Sequence, residues 1–180
     1  HTMDQHGHIL QDNIMYKLIE NYCTDPERIL KLCEKYDHMF KIRDPKGDYF
    51  GSPENPGSIK QIKHWNMPTE LKEAIFNTVP DEDDGFCTAH LNKYEAGDFL
   101  PKHKDTWQGY YKFKLVFLQA DRPHFKYYDK NDKAHLVEEK PGALMDMHIA
   151  TPHEVTPIGE DEQPKYSLAL CWFPSSAGVA

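Results

Sequence analysis

The nine residues Lys165-Tyr166-Ser167-Leu168-Ala169-Leu170-Cys171-Trp172-Phe173 read as one strand. In an extended chain, side chains alternate between the two faces. Lys165, Ser167, Ala169 and Cys171 therefore share one face, and Tyr166, Leu168, Leu170 and Trp172 share the other. The second face is apolar and aromatic, so it asks for a core. On the first face, Lys165 has only small neighbours. Pointing inward, it needs a counter-charge; on an edge strand it would lie in solvent.

Working back from this strand, short segments of the same kind alternate with turn signals. They fall near Phe86–Tyr94, Phe99–Lys104, Phe113–Gln119, His124–Tyr128, Ala134–Val137, Ala143–Met147 and His153–Pro157. Ala96-Gly97-Asp98, Asp129 to Asp132, Pro141-Gly142 and Gly159 to Pro164 supply the turns. About eight strands in about 90 residues predict a double-sheet jelly roll or small barrel. Before Gly85 the period becomes helical. Ile14, Leu18 and Ile19 fit one helix face, and Ile29, Leu30, Leu32 and Cys33 fit a second helix opened by Asp25-Pro26. Thr69–Phe76, after Pro68, is a third. The expected class is α+β, mainly β: a double-stranded β-helix with N-terminal supporting helices. Residues 1–8 are read as a tag remnant or arm, 9–84 as a helical support region, and 85–175 as the jelly-roll core of a single domain.

Composition narrows the function. The chain has 180 residues, 21 Lys+Arg and 29 Asp+Glu, a net charge of −8. With no basic block, it is not expected to bind nucleic acid. The longest apolar run, Leu168–Phe173, is too short to span a bilayer, and no secretory apolar segment opens the chain, so no membrane association is expected. Cys23, Cys33, Cys87 and Cys171 lack metal-site spacing and read as reduced, mostly buried thiols of a cytoplasmic protein. Asp81-Glu82-Asp83-Asp84-Gly85 reads as a solvated acidic turn, and Arg43–Gly57 as a loop that serves as a connector or a lid.

The chemistry centres on His103-Lys104-Asp105. On an extended segment the imidazole and the carboxylate, two residues apart, converge on one side. With 11 His and 29 acidic residues, about two such triplets arise by chance. His153, in Thr151-Pro-His-Glu-Val-Thr-Pro157, adds weight, with His148 as its competitor. Two His and one carboxylate on one octahedral face leave three positions open, the donor set of non-haem Fe(II) oxygenases. Lys165 and Ser167 follow on the last strand, where an ammonium beside a hydroxyl suits a carboxylate.

Three pieces, in order, resemble the Fe(II)- and 2-oxoglutarate-dependent oxygenases, in particular their prolyl 4-hydroxylase-like branch. They are Tyr94-Glu-Ala-Gly-Asp-Phe-Leu-Pro-Lys-His103-Lys-Asp105, Lys140-Pro-Gly-Ala-Leu144, and His153-Glu-Val-Thr-Pro-Ile158 with Lys165-Tyr-Ser-Leu168. They span about half the chain. The resemblance implies Fe(II) on His103, Asp105 and His153. It implies 2-oxoglutarate held through Lys165, Ser167 and Tyr94, with O2 as oxidant, ascorbate in support, and succinate and CO2 released. Lys165 stands where many relatives carry Arg; it supplies the charge without the bidentate fork. The Gly-Gly that opens a middle strand in relatives is replaced near Arg122-Pro-His-Phe125. The implied reaction is hydroxylation of a C–H bond, on a prolyl residue of a protein or peptide, with Trp107, Tyr110 and Tyr128 as candidate substrate contacts. The alternatives are hydroxylation of a free amino acid or small metabolite, and a non-catalytic metal-binding jelly-roll module. Oligomeric state is not legible.

Overall fold

The C-terminal half folds as eight strands that take turns between two facing sheets. The computed structural model describes residues 2–3, 9–11, 14–43, 57–82, 86–105, 109–120 and 122–174. The Arg43–Gly57 loop, apart from its two ends, and Asp83 to Gly85 lie outside them. Two short N-terminal strands, β1 (Thr2–Met3) and β2 (Ile9–Gln11), pair with each other, and β2 pairs with β3 (Ile14–Ile19). Next come α1 (Pro26–Lys35), β4 (Lys41–Ile42), β5 (Lys60–Ile62) and α2 (Thr69–Phe76). The eight strands are β6 (Phe86–Tyr94), β7 (Leu100–His103), β8 (Lys112–Phe117), β9 (Phe125–Tyr128), β10 (Ala134–Leu136), β11 (Leu144–Met147), β12 (His153–Val155) and β13 (Lys165–Phe173).

The larger sheet has the order β1-β2-β3-β11-β8-β13-β6-β5-β4, and the smaller one β10-β9-β12-β7. Every pairing is antiparallel. Since β6, β8, β11 and β13 lie in one sheet and β7, β9, β10 and β12 in the other, the chain crosses between them repeatedly. This is the jelly roll expected, and its alternation brings residues far apart in sequence to one barrel mouth.

β13 sits at the centre, flanked by β6 and β8, and its residues up to Trp172 are buried. Its two faces serve different cores, as alternation requires. Tyr166, Leu168, Leu170 and Trp172 join Leu91, Val116, Ile29, Cys33, Leu71 and Ile75 in a cluster between the sheet and the helices. Inside the barrel, Tyr94, Leu115, Phe117, Phe125, Tyr127, Met145 and Val155 form a second cluster.

Both helices have local causes. In α1, Asp25 caps the first turn by accepting from the Arg28 N–H at 3.2 Å, Pro26 opens the helix, and Ile29, Leu32 and Cys33 face the sheet. In α2, Pro68 precedes the first turn and Leu71, Ala74 and Ile75 are buried. The helix expected over Ile14–Ile19 is instead β3, the neighbour of β11. The 9–84 region is therefore a mixture of strands and helices rather than a helical support. Six residues do not separate a helical from a strand period, and pairing with the exposed edge of β11 decides for the strand.

Candidate metal centre and cavity

β7 and β12 are antiparallel neighbours, and His103 at the end of one stands opposite His153 at the start of the other. Asp105 lies two residues past His103, where its N–H donates to the Ile149 carbonyl at 3.0 Å. Barrel topology thus joins the three candidate ligands. Each offers a donor atom, all within 4.8 Å of one another, and the residues are 8%, 2% and 3% exposed in chain order. His148, the competing histidine, bonds the Ala150 N–H and is exposed, away from this group.

The imidazoles are oriented for ligation. His103 Nδ1 lies 2.6 Å from the Pro101 carbonyl, and His153 Nδ1 lies 2.9 Å from that of Thr151. A carbonyl only accepts, so each Nδ1 carries a hydrogen, and in the neutral ring Nε2 is the nitrogen left with a lone pair for a metal. Both Nε2 atoms face the Asp105 carboxylate, His103 at 3.5 Å from Oδ1 and His153 at 3.1 Å from Oδ2. With bonds of about 2.1 Å, neighbouring ligands on an octahedral face stand about 3.0 Å apart, close to the two His–Asp spacings. Phe113 and Phe125 stack on the His153 ring at 6.3 and 5.5 Å and restrict its rotation. Tyr110 donates a hydrogen bond to Asp105.

Electrostatics agree with a cation site. Burial, then His153, pushes His103 down to about 3, so its imidazole is neutral. Burial would also lower His153, but the Asp105 carboxylate overrides it and the net shift is upward. Burial would raise Asp105, yet His153, His103 and Tyr110 hold it low. A carboxylate between two imidazoles this deep requires a positive charge, a proton or a metal ion.

Beside the triad opens a cavity of about 560 Å³, within the usual range for a small-molecule or side-chain site. Its walls include Tyr94, Leu100, Tyr110, Phe113, Leu115 and Phe125. One wall is more polar: Thr88, His90, Asn92 and Tyr94, every second residue of β6, face inward. The composition of β6 carries this pattern, but the sequence reading singled out only Tyr94. His90 Nδ1 accepts from the His64 N–H at 3.3 Å, and its Nε2 lies 3.1 Å from the Thr88 hydroxyl. Trp65, 66% exposed, meets the His90 ring edge-on, and Phe86 and Phe173 complete an aromatic rim.

The remaining predicted residues fall unevenly. Tyr94 lines the cavity and pairs in register with Lys165; burial pushes its phenol far up, so it stays protonated. Lys165 and Ser167 continue the face of Cys171 and Ala169, away from the exposed Phe86–Phe173 end, and both are buried. Lys165 is in an ion pair with buried Glu139, a residue the sequence reading did not single out. Ser167 Oγ accepts from Asn92 Nδ2 at 3.4 Å. Tyr110 lines the cavity, but Tyr128 does not. It lies on the outer face of β9, bonded to Glu154, with the Lys102 ammonium 4.0 Å from its ring centre. Alternation explains this, since Phe125 and Tyr127 take the inward positions. Trp107 lies outside the described residues.

No protein-family model and no curated protein matches the chain. Solved structures do match in fold. A prolyl-4-hydroxylase from Pseudomonas putida superposes with a TM-score of 0.62 at 16% identity, over 88% of this chain and 92% of that one. The prolyl hydroxylase of Trichoplax adhaerens, in complex with a hypoxia inducible factor peptide fragment, gives 0.65 at 14%, over 89% and 84%. The epimerase SnoN, in complex with Fe3+, alpha ketoglutarate and nogalamycin RO, gives 0.58 at 12%, over 88% and 78%. The chain therefore has the jelly-roll fold shared by 2-oxoglutarate–Fe(II) oxygenases.

Proposed function

We propose that the chain is an Fe(II)- and 2-oxoglutarate-dependent oxygenase that hydroxylates a C–H bond, with a prolyl residue of a protein or peptide as substrate. The observation that carries this reading is the buried His103–Asp105–His153 group, with both Nε2 atoms facing one carboxylate in the cavity wall. Fe(II) fits this donor set, and when bound with 2-oxoglutarate and O2 it would supply the oxidation, with release of succinate and CO2. The residues do the rest. Pro101 and Thr151 carbonyls keep the hydrogens on Nδ1, Phe113 and Phe125 hold the His153 ring, and Tyr110 holds the carboxylate. Lys165, Ser167 and Tyr94 would hold the remote carboxylate of the cosubstrate. Leu100, Leu115, Phe113 and Phe125 keep water from the reacting centre. The aromatic rim of Trp65, Phe86 and Phe173 offers apolar surface to a proline ring.

A small metabolite is the second reading, favoured by the largely apolar 560 Å³ cavity and by SnoN among the fold relatives. The test supplies Fe(II), 2-oxoglutarate and ascorbate without oxygen, admits air, and follows succinate with and without a proline-rich peptide. Asp105→Ala serves as the blank. The expected result is succinate from the native chain and at least about a hundredfold less from the variant. Peptide-stimulated turnover with a gain of one oxygen supports the prolyl substrate; turnover indifferent to peptide points to the metabolite. No succinate from a chain that binds the metal defeats the oxygenase reading and leaves a non-catalytic module.

A further inference from the structure

We propose that Glu139 is a specificity-determining residue of the cosubstrate pocket: an internal carboxylate that already occupies Lys165 and weakens binding of the cosubstrate's remote carboxylate. This inference rests on the oxygenase reading and on Lys165 as the anchor. Glu139 lies between β10 and β11, 4% exposed, and Lys165 opens β13, 5% exposed. Their side chains are in direct ion-pair contact. The other carboxylate oxygen of Glu139 accepts from the N–H groups of His124, at 2.6 Å, and Phe125, at 3.3 Å. These donors open β9, and the His124 ring is in turn held by the Thr156 hydroxyl at 2.8 Å and Glu162 at 2.7 Å. Glu139 is therefore a fixed group and not a swinging surface chain.

The consequence is electrostatic. A Lys165 side chain without a partner would offer a full positive charge to an incoming carboxylate. With Glu139 beside it, the pair is neutral, and a dicarboxylate adds an unbalanced negative charge to a buried place. Lys165 has three hydrogens to share, so binding remains possible at lower affinity. The native pocket thereby discriminates less between an oxo acid with a remote carboxylate and one without it than Lys165 alone would. Lys165 and Glu139 lie just beyond the walls of the 560 Å³ cavity: Lys165 stands opposite Tyr94 and four residues before Ala169 on the same face of β13, and both of these line it.

The experiment measures binding, not turnover. Glu139→Gln keeps the shape and removes the charge. With Mn(II) in place of Fe(II), calorimetry compares 2-oxoglutarate with pyruvate, an oxo acid without a remote carboxylate, on the native chain and the variant. The expected result is a Kd for 2-oxoglutarate about tenfold lower in the variant, with that for pyruvate unchanged. An equal or higher Kd for 2-oxoglutarate overturns the inference, showing Glu139 to be a structural counter-ion or a support for Lys165. If the variant is too unstable for calorimetry, its thermal midpoint is read with and without 2-oxoglutarate. A rise larger than the native one supports the inference, and an equal or smaller rise overturns it. Binding by the native chain with no gain in the variant sinks the inference and leaves the oxygenase reading intact. Absence of binding by both, with Mn(II) bound, defeats both.

Discussion

At the scale of single residues, what distinguishes the candidate centre is the set of bonds around its three donors. A histidine ligates only if the nitrogen it presents is free of hydrogen, and here two backbone carbonyls impose that tautomer. Asp105 is held by a phenol on one side and by the imidazoles on the other. Tyr110 itself stacks on Phe113 at 5.9 Å, so its ring is fixed even without its hydroxyl. Tyr110→Phe is expected to leave the fold intact and weaken Mn(II) or Fe(II) binding by about tenfold or more, measured against a competing chelator. Unchanged affinity would show the phenol to be irrelevant to the ligand set.

At the scale of elements, the central strand and a single turn do most to place the site. β13 separates two cores with its two faces, and a one-residue slip would exchange Lys165 and Ser167 for Tyr166 and Leu168 on the face that turns away from the helices. The turn at Pro141-Gly142 locks the segment carrying Glu139 against the chain entering α1. The Cys23 N–H donates to the Gly142 carbonyl at 3.0 Å, and the Gly142 N–H to that of Phe117 at 2.7 Å. Gly142 has φ +80°, and a Cβ there would meet the Cys23 carbonyl oxygen at 2.7 Å. Neither the backbone region nor the space admits a side chain. Gly142→Ala is expected to destabilise the fold by at least about 2 kcal/mol in urea unfolding, from left-handed strain plus that clash.

At the scale of the whole molecule, the chain leaving α2 and the chain entering α1 are fastened to the large sheet by charge and hydrogen bonds, as the helices are by apolar packing. Glu82 accepts from Lys112 at 2.7 Å, Lys114 at 2.6 Å and the Tyr22 hydroxyl at 3.0 Å. The acidic turn read as solvated is thus tied down at this position, because buried Lys114 requires a counter-charge. Burial would raise Glu82, but the two lysines outweigh it and hold its carboxyl below its ordinary value of 4.5. A depressed carboxyl stabilises the fold above that value, and the contribution is lost as pH falls through the lowered one. Because Glu82 is partly exposed, Glu82→Gln is expected to cost only about 1–2 kcal/mol at pH 7. The gap from the native chain should close as the pH is lowered below 4.5; a gap independent of pH would mean packing and not charge. Among the described residues, no helix is long and apolar enough to cross a membrane, and all four cysteines are free thiols, as their spacing suggested.

Local pattern was enough for the strands of the barrel, for α1 and α2, and for the outward and inward faces of β13, because alternation and capping are properties of neighbouring residues. The candidate ligands were legible for a similar reason: His103 and Asp105 are neighbours, and His153 opens a recognisable strand. Only the tertiary structure decided the rest. Ile14–Ile19 became a strand because an edge of β11 was there to pair with it. Tyr128 turned outward because register gave the inner positions to Phe125 and Tyr127. Glu139 met Lys165 across 26 residues of sequence, a pairing that no spacing rule contains, since it arises where the chain between two strands closes over the far end of the barrel. Burial supplies the physical reason in each case: which group faces which, and what charge it must find there, depends on contacts made only once the sheets have closed.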